Sequence, residues 1–558
     1  MAIKSIAILS NINMDPIKGI LNAENIYTCM YGQYIQELVD ENSYLNVNSP
    51  EVILFSLDGE EFIKDICYNL LKIEEAKSII EQKLNDIFNV IRNYLQKRSG
   101  VFFIFSNLVL PSSYFMNYLD TNSDYSISSL ESYINEKITI FSKSLTGVYI
   151  LDWKRIVLMQ GYKNLYDDKF WYLGRIKWTN KAFRLLSIEI ENILNAIKGN
   201  IKKVLILDLD NTLWGEIIGE EGIGGIQLSE DGIGKCYRDF QALIKSLKNL
   251  GVLLAINSKN NPEDVQEVFD NHPMMLLKKD DFVLMKINWD NKIDNIKEIA
   301  QELNLGTDSF VFIDDNQRER EMVRQYLPEV AVPDFPDDPS QIKKWFLESV
   351  IYKFFPKVFL TDEDKQKFNQ YQAGIKRKGI LKELTIDEFI KKLEIKLEIY
   401  LNDPRFIKRI AQLTQKTNQF NMTTIRYSES DIKNLQDDEK NLLFTLNYKD
   451  TFGDEGVTGC SIIKTFDNQG DIDTFLLSCR IIGRRVEYTF LYKILKILGE
   501  RNIKIVRAKF IPTRKNEVAK DFYLTAGFRM IEKKDNINFY EANIPEIFET
   551  LKNKILSD

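Results

Sequence analysis

The stretch that most constrains this chain is Val204–Trp214, V-L-I-L-D-L-D-N-T-L-W. Four consecutive apolar residues read as a short strand buried on both faces, the pattern of a parallel sheet. Asp208 and Asp210 follow at once, two positions apart. Open α/β sheets bind ligands at the carboxyl ends of their strands, and burial alone gives no reason to place two carboxylates there. They call for a cation, and Mg²⁺ accompanying a phosphate suits such oxygen donors. The plainer reading, an aspartate pair that caps the next segment, has to be weighed against the rest of the chain.

Three more polar clusters weigh against it. Val252–Ile256 reads as a second buried strand and ends in N-S-K-N-N, Asn257–Asn261. N-W-D-N-K, Asn288–Lys292, opens a helix over Ile293–Leu303, and the strand Ser309–Ile313 ends in Asp314 and Asp315. The pattern D-x-D-x-T resembles the first motif of the haloacid dehalogenase (HAD) phosphatase superfamily, and D-x-D, Ser, Lys, D-D is the HAD order. A phosphate ester held there needs a nucleophile, an acid, a hydrogen-bond donor and a neutralising cation. Those roles fall to Asp208, Asp210, Ser258 and Lys292. Mg²⁺ would be held by Asp208, the backbone carbonyl of Asp210, and Asp315 with Asp314 beside it; Thr212, Lys259 and Asn260 are candidate substrate contacts. The glycine-rich segment after Trp214, G-E-I-I-G-E-E-G-I-G-G-I-Q-L, reads as a hairpin flap, followed by an amphipathic helix, Tyr237–Leu250, that Gly251 ends. Asp210 and Ser258 are only 48 positions apart, which leaves no room for a large inserted cap and predicts a site open to a bulky, protein-tethered substrate.

Residues 1–200 read as an α/β domain of the SGNH-hydrolase or flavodoxin kind. Ile6–Leu9, Val52–Phe55, Val101–Phe105 and Val148–Leu151 are strand-length apolar runs, with helical stretches such as Ile73–Gln96 between them. Ser10-Asn11 could mimic the start of an SGNH hydrolase, but the Gly-Asp-Ser motif and any local histidine are missing, so the domain reads as a non-catalytic docking or dimerisation module. The chain has one histidine, His272. Histidine triads and paired-histidine metal sites are thereby excluded, and His272 itself, in N-H-P-M-M, reads as a turn or packing residue. The five cysteines (Cys29, Cys67, Cys236, Cys460, Cys479) have no metal-site spacing and fit a reducing cytosol. A net charge of −7 speaks against a nucleic-acid binder, and no apolar run is long enough for a membrane span.

The wording D-L-D-N-T-L-W-G, S-K-N-N, H-P-M-M, N-W-D-N-K and F-I-D-D-N-Q-R-E-R closely resembles the FkbH-like family, HAD subfamily IIIC. So do R-I-A-Q-L-T-Q-K-T-N-Q-F-N-M-T-T (Arg409–Thr424), F-G-D-E-G (Phe452–Gly456) and L-L-S-C-R-I-I-G-R-R-V-E (Leu476–Glu487). The resemblance implies a phosphatase domain over 201–340, a helical linker over 341–390 and a GNAT-like α+β acyltransferase domain over 391–545. It implies the use of D-1,3-bisphosphoglycerate, removal of its phosphate, and loading of a glyceryl unit onto an acyl carrier protein for polyketide-type pathways. The turn Arg480–Arg485, opening a helix after the strand Phe475–Leu477, is the place for the pyrophosphate of coenzyme A or the phosphopantetheine of a carrier. Arg480, Gly483, Arg484 and Arg485 are its candidate contacts, with F-Y-L-T-A-G-F (Phe522–Phe528) as a second matching element. Gln412, Lys416, Asn418 and Asn421 are candidates for substrate contact.

Two departures stand out. Arg485 replaces a Gly or Ala usual in that loop, and Asn257 stands where many relatives have the cysteine thought to carry a glyceryl thioester; Cys479 and Cys236 are the remaining candidate thiols. In the linker, Trp345–Phe355 reads as a helix, Thr361–Asp364 as a helix start, and Gly374–Gly379 as a basic loop suited to steering an acidic carrier protein. A plain phosphatase on another metabolite and an idle docking scaffold are the alternatives.

Overall fold

The computed structural model describes residues 3–67, 72–98, 100–110, 116–360, 362–381 and 384–556. The chain forms two compact units, Met1–Leu194 with Arg426–Asp437, and Asn195–Ile425 with Asp438–Asp558. Among the described residues, no helix is long and apolar enough to cross a membrane.

The first unit is built on a parallel sheet of β1 (Ile3–Leu9), β2 (Ala23–Thr28), β3 (Val52–Phe55), β4 (Phe102–Ser106) and β5 (Val148–Leu151), in the order β2-β1-β3-β4-β5. Helices Ile73–Gln96 and Ile127–Ser144 cover it with Ile80, Leu84, Ile91, Ile134 and Ile138. β2 was not anticipated, because A-E-N-I-Y-T lies at the sheet edge with polar residues exposed and gives little apolar signal. Ser10 is buried, its hydroxyl accepting from the Ile12 N–H, while Asn11 exchanges hydrogen bonds with the backbone of Asp58. Asp58 in turn pairs with buried Lys177 at 3.0 Å. A helix from far along the chain, Glu429–Asp437, also belongs to this unit.

The second unit holds two sheets. The first is parallel, in the order β8-β7-β6-β9, from β6 (Val204–Leu207), β7 (Leu253–Ser258), β8 (Leu284–Ile287) and β9 (Phe310–Ile313). β6 is internal and its four side chains are fully buried, each worth about 1.5–3 kcal/mol of transfer free energy. Helices Gly232–Asn249, Pro262–Asn271, Lys292–Leu303 and Gln317–Tyr326 complete the α/β alternation. His272 ends the second of these, its Nδ1 accepting from the Met274 N–H.

Two expectations are corrected here. The segment after Trp214 is not a hairpin: Gly215 and Gln227 pair as one antiparallel bridge, but Ile218–Gly225 between them is helical, kinked where Gly222 takes φ 66°. Ile218 and Ile226 bury against the core and leave the glycines outside, so packing decides the shape. The stretch Gly374–Gly379 lies inside a helix, Asp362–Leu381, rather than in a loop. Arg377 within it is buried and ion-paired with Asp450 and Glu455, so its charge is not offered to a partner. The expected helix-start signal begins at Thr361, which lies outside the described residues; the helix at Trp345–Phe355 is present, with Ile342–Trp345 running on through a widened turn over Phe346–Ile351.

The last sheet comprises β10 (Lys396–Leu401), β11 (Phe420–Asn421), β12 (Asn441–Asp450), β13 (Gly453–Phe466), β14 (Gln469–Leu477), β15 (Ile505–Phe510), β16 (Arg529–Lys534) and β17 (Ile537–Asn543). Its order is β10-β12-β13-β14-β15-β17-β16, and only β14 and β15 run parallel. They pair over Gln469–Ile472 and then diverge. The chain fills the gap itself: β11 pairs with Leu476–Leu477, and Met422 bridges to Phe475 on one side and Ile511 on the other.

Candidate phosphate and metal site

Every strand of the β8-β7-β6-β9 sheet delivers its polar residues to one edge because all four run in the same direction. Asp208 follows β6, and its N–H still bonds the Ile313 carbonyl at 3.0 Å. Lys292 is the first residue of helix Lys292–Leu303, whose N-cap Asn291 accepts from the Ile293 N–H. The Lys292 ammonium is 3% exposed and stands 2.9 Å from Asp208 Oδ2 and 2.6 Å from Asp314 Oδ2. Burial pulls this ammonium down, but Asp208 and Asp314 outweigh it and hold it charged, above the usual lysine range.

One ammonium faces three carboxylates. Oxygens of Asp208, Asp314 and Asp315 all lie within 4.8 Å of one another. Burial, then the charge of Asp208, pushes Asp314 up, and the same causes raise Asp315 to about 6. Asp208 Oδ1 is buried with no hydrogen-bond partner among the described residues. A buried, unpaired carboxylate oxygen in an acid-rich cluster is a costly arrangement unless a cation completes it. Three carboxylates at this spacing fit a hard divalent ion such as Mg²⁺.

Asp210 points elsewhere. Its Oδ1 accepts from the Trp214 indole at 2.9 Å and from the Ile218 N–H at 3.1 Å, and its Oδ2 accepts from Asn260 Nδ2 at 3.0 Å. Its side chain therefore stands outside the three-carboxylate group, so the metal contact expected of Asp210 falls to its backbone carbonyl alone. Burial raises its pKa, with Asn260, Ile218 and Trp214 opposing. Asn260 also reaches the Ser258 hydroxyl at 3.2 Å, so serine and aspartate share one amide. Thr212 is buried and its Oγ1 accepts from the Asp315 N–H at 3.3 Å, which ties the two strand ends together. Lys259 is paired with Glu319 at 2.7 Å.

Several contributors were not read from the sequence as parts of the site. Arg320 is buried and donates to the carbonyls of Asp314 and Asp315. Asn257, noted only as a missing cysteine, donates to the Lys292 carbonyl at 2.9 Å and accepts from Asn295 at 3.0 Å. Asn295 also donates to Asn288, whose N–H bonds the Ser258 carbonyl. This buried asparagine chain fixes the helix start that carries Lys292. The alternation of N-S-K-N and N-W-D-N-K along the sequence holds such a signal only once the two segments are known to be neighbours.

The second expected anion site, Arg480–Arg485, is differently arranged. Gly483 takes φ 80° and Arg485 φ 61°, and helix Val486–Glu500 follows. Arg480 stands 3.5 Å from Glu455, Arg484 donates to Tyr448 at 3.0 Å, and Arg485 pairs with Asp387 at 2.6 Å. The Glu487 carboxylate is raised by burial, with the N–H groups of its own backbone and of Gly483 opposing, and its Oε2 has no hydrogen-bond partner among the described residues. The expected cofactor contacts are thus occupied from within the chain. Asn421 is likewise internal: it donates to the Thr417 carbonyl and accepts from the N–H groups of Thr423 and Thr424. Gln412, Lys416 and Asn418 do line a cavity, of about 560 Å³, together with Cys479. Cys236 is half-buried on helix Gly232–Asn249.

The chain is similar, over 64% of its length and 96% of the other chain, to the N-terminal part of the protein BF1531 from Bacteroides fragilis, which contains a phosphatase domain and was crystallised in complex with Mg; identity is 28% and the TM-score 0.57. It also matches the PaiA N-acetyltransferase from Thermoplasma acidophilum in complex with coenzyme A, over 26% of this chain and 99% of that one, at 16% identity and a TM-score of 0.22. The ribosomal-protein-S18-alanine N-acetyltransferase from Escherichia coli matches over 27% and 94%, at 12% identity and a TM-score of 0.22. Likenesses that partial leave the C-terminal region to be read from its own residues. No family model and no curated protein matches the chain. The fold is that of a multi-domain α/β protein, and the chain is similar to a magnesium-complexed phosphatase domain.

Proposed function

We infer that this chain is a Mg²⁺-dependent phosphatase of HAD type, and that its substrate is D-1,3-bisphosphoglycerate, whose glyceryl unit it loads onto an acyl carrier protein. The observation that carries the phosphatase half is the buried cluster of Asp208, Asp314, Asp315 and Lys292 with one carboxylate oxygen left unpartnered. Asp208 Oδ1 attacks phosphorus, forming an O–P bond as the bond to the leaving oxygen breaks. Asp210, whose raised pKa lets it carry a proton, gives that proton to the leaving oxygen. It then takes a proton from the water that attacks the aspartyl phosphate, which releases phosphate and restores Asp208. Ser258 and Lys292 hold the phosphoryl oxygens. Mg²⁺ at Asp208, Asp314 and Asp315 supplies further neutralisation of phosphoryl charge when bound.

The loading half is supported by the FkbH-like wording of Arg409–Thr424 and Leu476–Glu487. A plain phosphatase acting on another metabolite is the second reading, and it is favoured by two observations. Asn257 is structurally committed to Lys292 and Asn295, and Glu487 fills the cradle expected for pyrophosphate.

The test is to incubate the chain with Mg²⁺ and freshly generated 1,3-bisphosphoglycerate, with and without phosphopantetheinylated carrier protein, and to weigh both proteins. A glyceryl mass on the carrier supports loading. Phosphate release with no adduct on either protein leaves the plain phosphatase.

A further inference from the structure

The cavity of about 560 Å³ lies at the opposite edge of the β8-β7-β6-β9 sheet from the three carboxylates. Lys203 directly precedes β6, Val252 precedes β7, and Leu305 and Ser309 lie ahead of β9, and all of them line it. The four residues of β6 alone put roughly 13 Å of strand between the two places. The rest of the wall comes from the linker, through Phe355 and Lys367, and from the C-terminal region, through Leu413 and Lys416.

Its charge is one-sided. Six lysines and three arginines line it against three carboxylates, Asp308, Glu329 and Asp364, and Lys203, Lys357, Lys367 and Lys416 gather around Asp364. Asp364 stands 3.0 Å from Lys357 and 3.8 Å from Lys416. It is held below the ordinary aspartate range: burial pushes it up, but the charges of Lys416 and Lys357 outweigh that. Lys367 is depressed by burial and then by Lys357, Lys203 and Lys416, so the four ammonium groups act on one another. Burial lowers Lys416 to about 8, with Asp364 opposing. Such like-charge crowding around a half-open cavity is unfavourable unless an anion shares it. Val252, Leu305, Phe355 and Leu413 give the same cavity an uncharged wall, so the anion should carry an organic part.

We propose that this cavity is a second anion site, distinct from the phosphatase centre, which takes a phosphate-bearing organic ligand through Lys203, Lys367 and Lys416. The phosphate can come from a pantetheine arm or from a small phosphorylated acid. The site stands apart from the phosphatase reading and does not depend on it.

The test uses the full chain and isothermal titration with coenzyme A and, separately, with 3-phosphoglycerate. The same ligands are titrated into Lys203→Gln/Lys367→Gln, and hydrolysis of p-nitrophenyl phosphate is followed in both proteins. Removal of two charged partners should weaken binding by about tenfold or more, while hydrolysis stays as in the parent chain. Weakening for coenzyme A identifies the pantetheine arm as the source, and weakening for 3-phosphoglycerate alone identifies the small acid. No saturable binding of either ligand to the parent chain, or equal binding to the variant, overturns the proposal. Should the variant fold poorly, lysine acetylation of the parent chain read by mass spectrometry replaces it. Ligand should protect Lys367 and Lys416, and unchanged labelling of both overturns the site. No hydrolysis by the parent chain, with saturable ligand binding to it, would count against the phosphatase reading alone.

Discussion

The strand end at Asp208 and the turn at Arg480–Arg485 both carry sequence marks of a phosphate site, and the folded chain treats them oppositely. At the first, one ammonium pairs with two of three clustered carboxylates and an oxygen of Asp208 is left without a partner among the described residues. At the second, each guanidinium meets an acid or a phenol of the same chain, and Glu487 takes the helix N-terminus. An anion or cation site has to be left incomplete by its own protein. The unpartnered oxygen at the first belongs to a metal-spaced group of carboxylates. The oxygen left over at the second is that of Glu487, which repels an anion, and the arginines are already paired. Motif spacing reports which residues arrive, whereas the remaining hydrogen-bond partners decide whether they are available.

The sharpest way to break this contrast is Asp208→Asn. Loss of a nucleophile should lower phosphate release by about 10⁴-fold or more, measured as kcat/KM on p-nitrophenyl phosphate. Residual activity within tenfold of the parent would remove Asp208 from the chemistry. Next comes Asn257→Ala, which strips the Lys292 carbonyl and Asn295 of a buried partner. It should cost about 1–3 kcal/mol of stability by urea unfolding and lower hydrolysis as well, because Lys292 loses its anchor. A stable variant of full activity would show that the asparagine chain is incidental.

A pH experiment probes the crowded acids. Asp314 and Asp315 are raised in the folded chain and return to ordinary values on unfolding. Their contribution to stability is therefore intact below about pH 4 and is lost as the pH rises through about 6 and above, when the folded state has to ionise them. Mg²⁺ binds the ionised form, so saturating Mg²⁺ should raise Tm more at pH 7.5 than at pH 5. The gain should approach about 2.7 kcal/mol at a hundredfold excess over Kd. An equal or larger shift at pH 5 would place the ion elsewhere. The smallest effect is expected at the other motif. Arg485→Ala removes a partly exposed pair with Asp387 and should change stability by about 1 kcal/mol or less, with coenzyme A affinity unchanged. A large loss of that affinity would return the pyrophosphate to this turn.

Much of the α/β layout was legible because parallel strands such as Val52–Phe55 and Val204–Leu207 are continuous apolar runs that burial alone specifies. The residues of the candidate site were legible too, since each polar cluster directly follows such a run or opens the next helix. What stayed hidden depends on distant parts of the chain. Arg377 looks like surface charge until Asp450 and Glu455 close around it, and Gly374–Gly379 looks like a loop until that burial makes it helix. Phe420–Asn421 is too short to announce a strand, and only the divergence of β14 from β15 gives it a place. Trp214 reads as an ordinary neighbour of a motif and Asn260 as a substrate contact, yet both side chains bond Asp210 and hold it away from the metal group, towards the position of an acid.

The most direct measurement is phosphate release from p-nitrophenyl phosphate and from freshly generated 1,3-bisphosphoglycerate by the full chain, first with EDTA and then with Mg²⁺ restored. The account predicts release that stops with EDTA and returns with Mg²⁺. Release that survives chelation, or none from either substrate with Mg²⁺ present, would contradict the assignment of Asp208, Asp314 and Asp315 as a magnesium-dependent phosphatase centre.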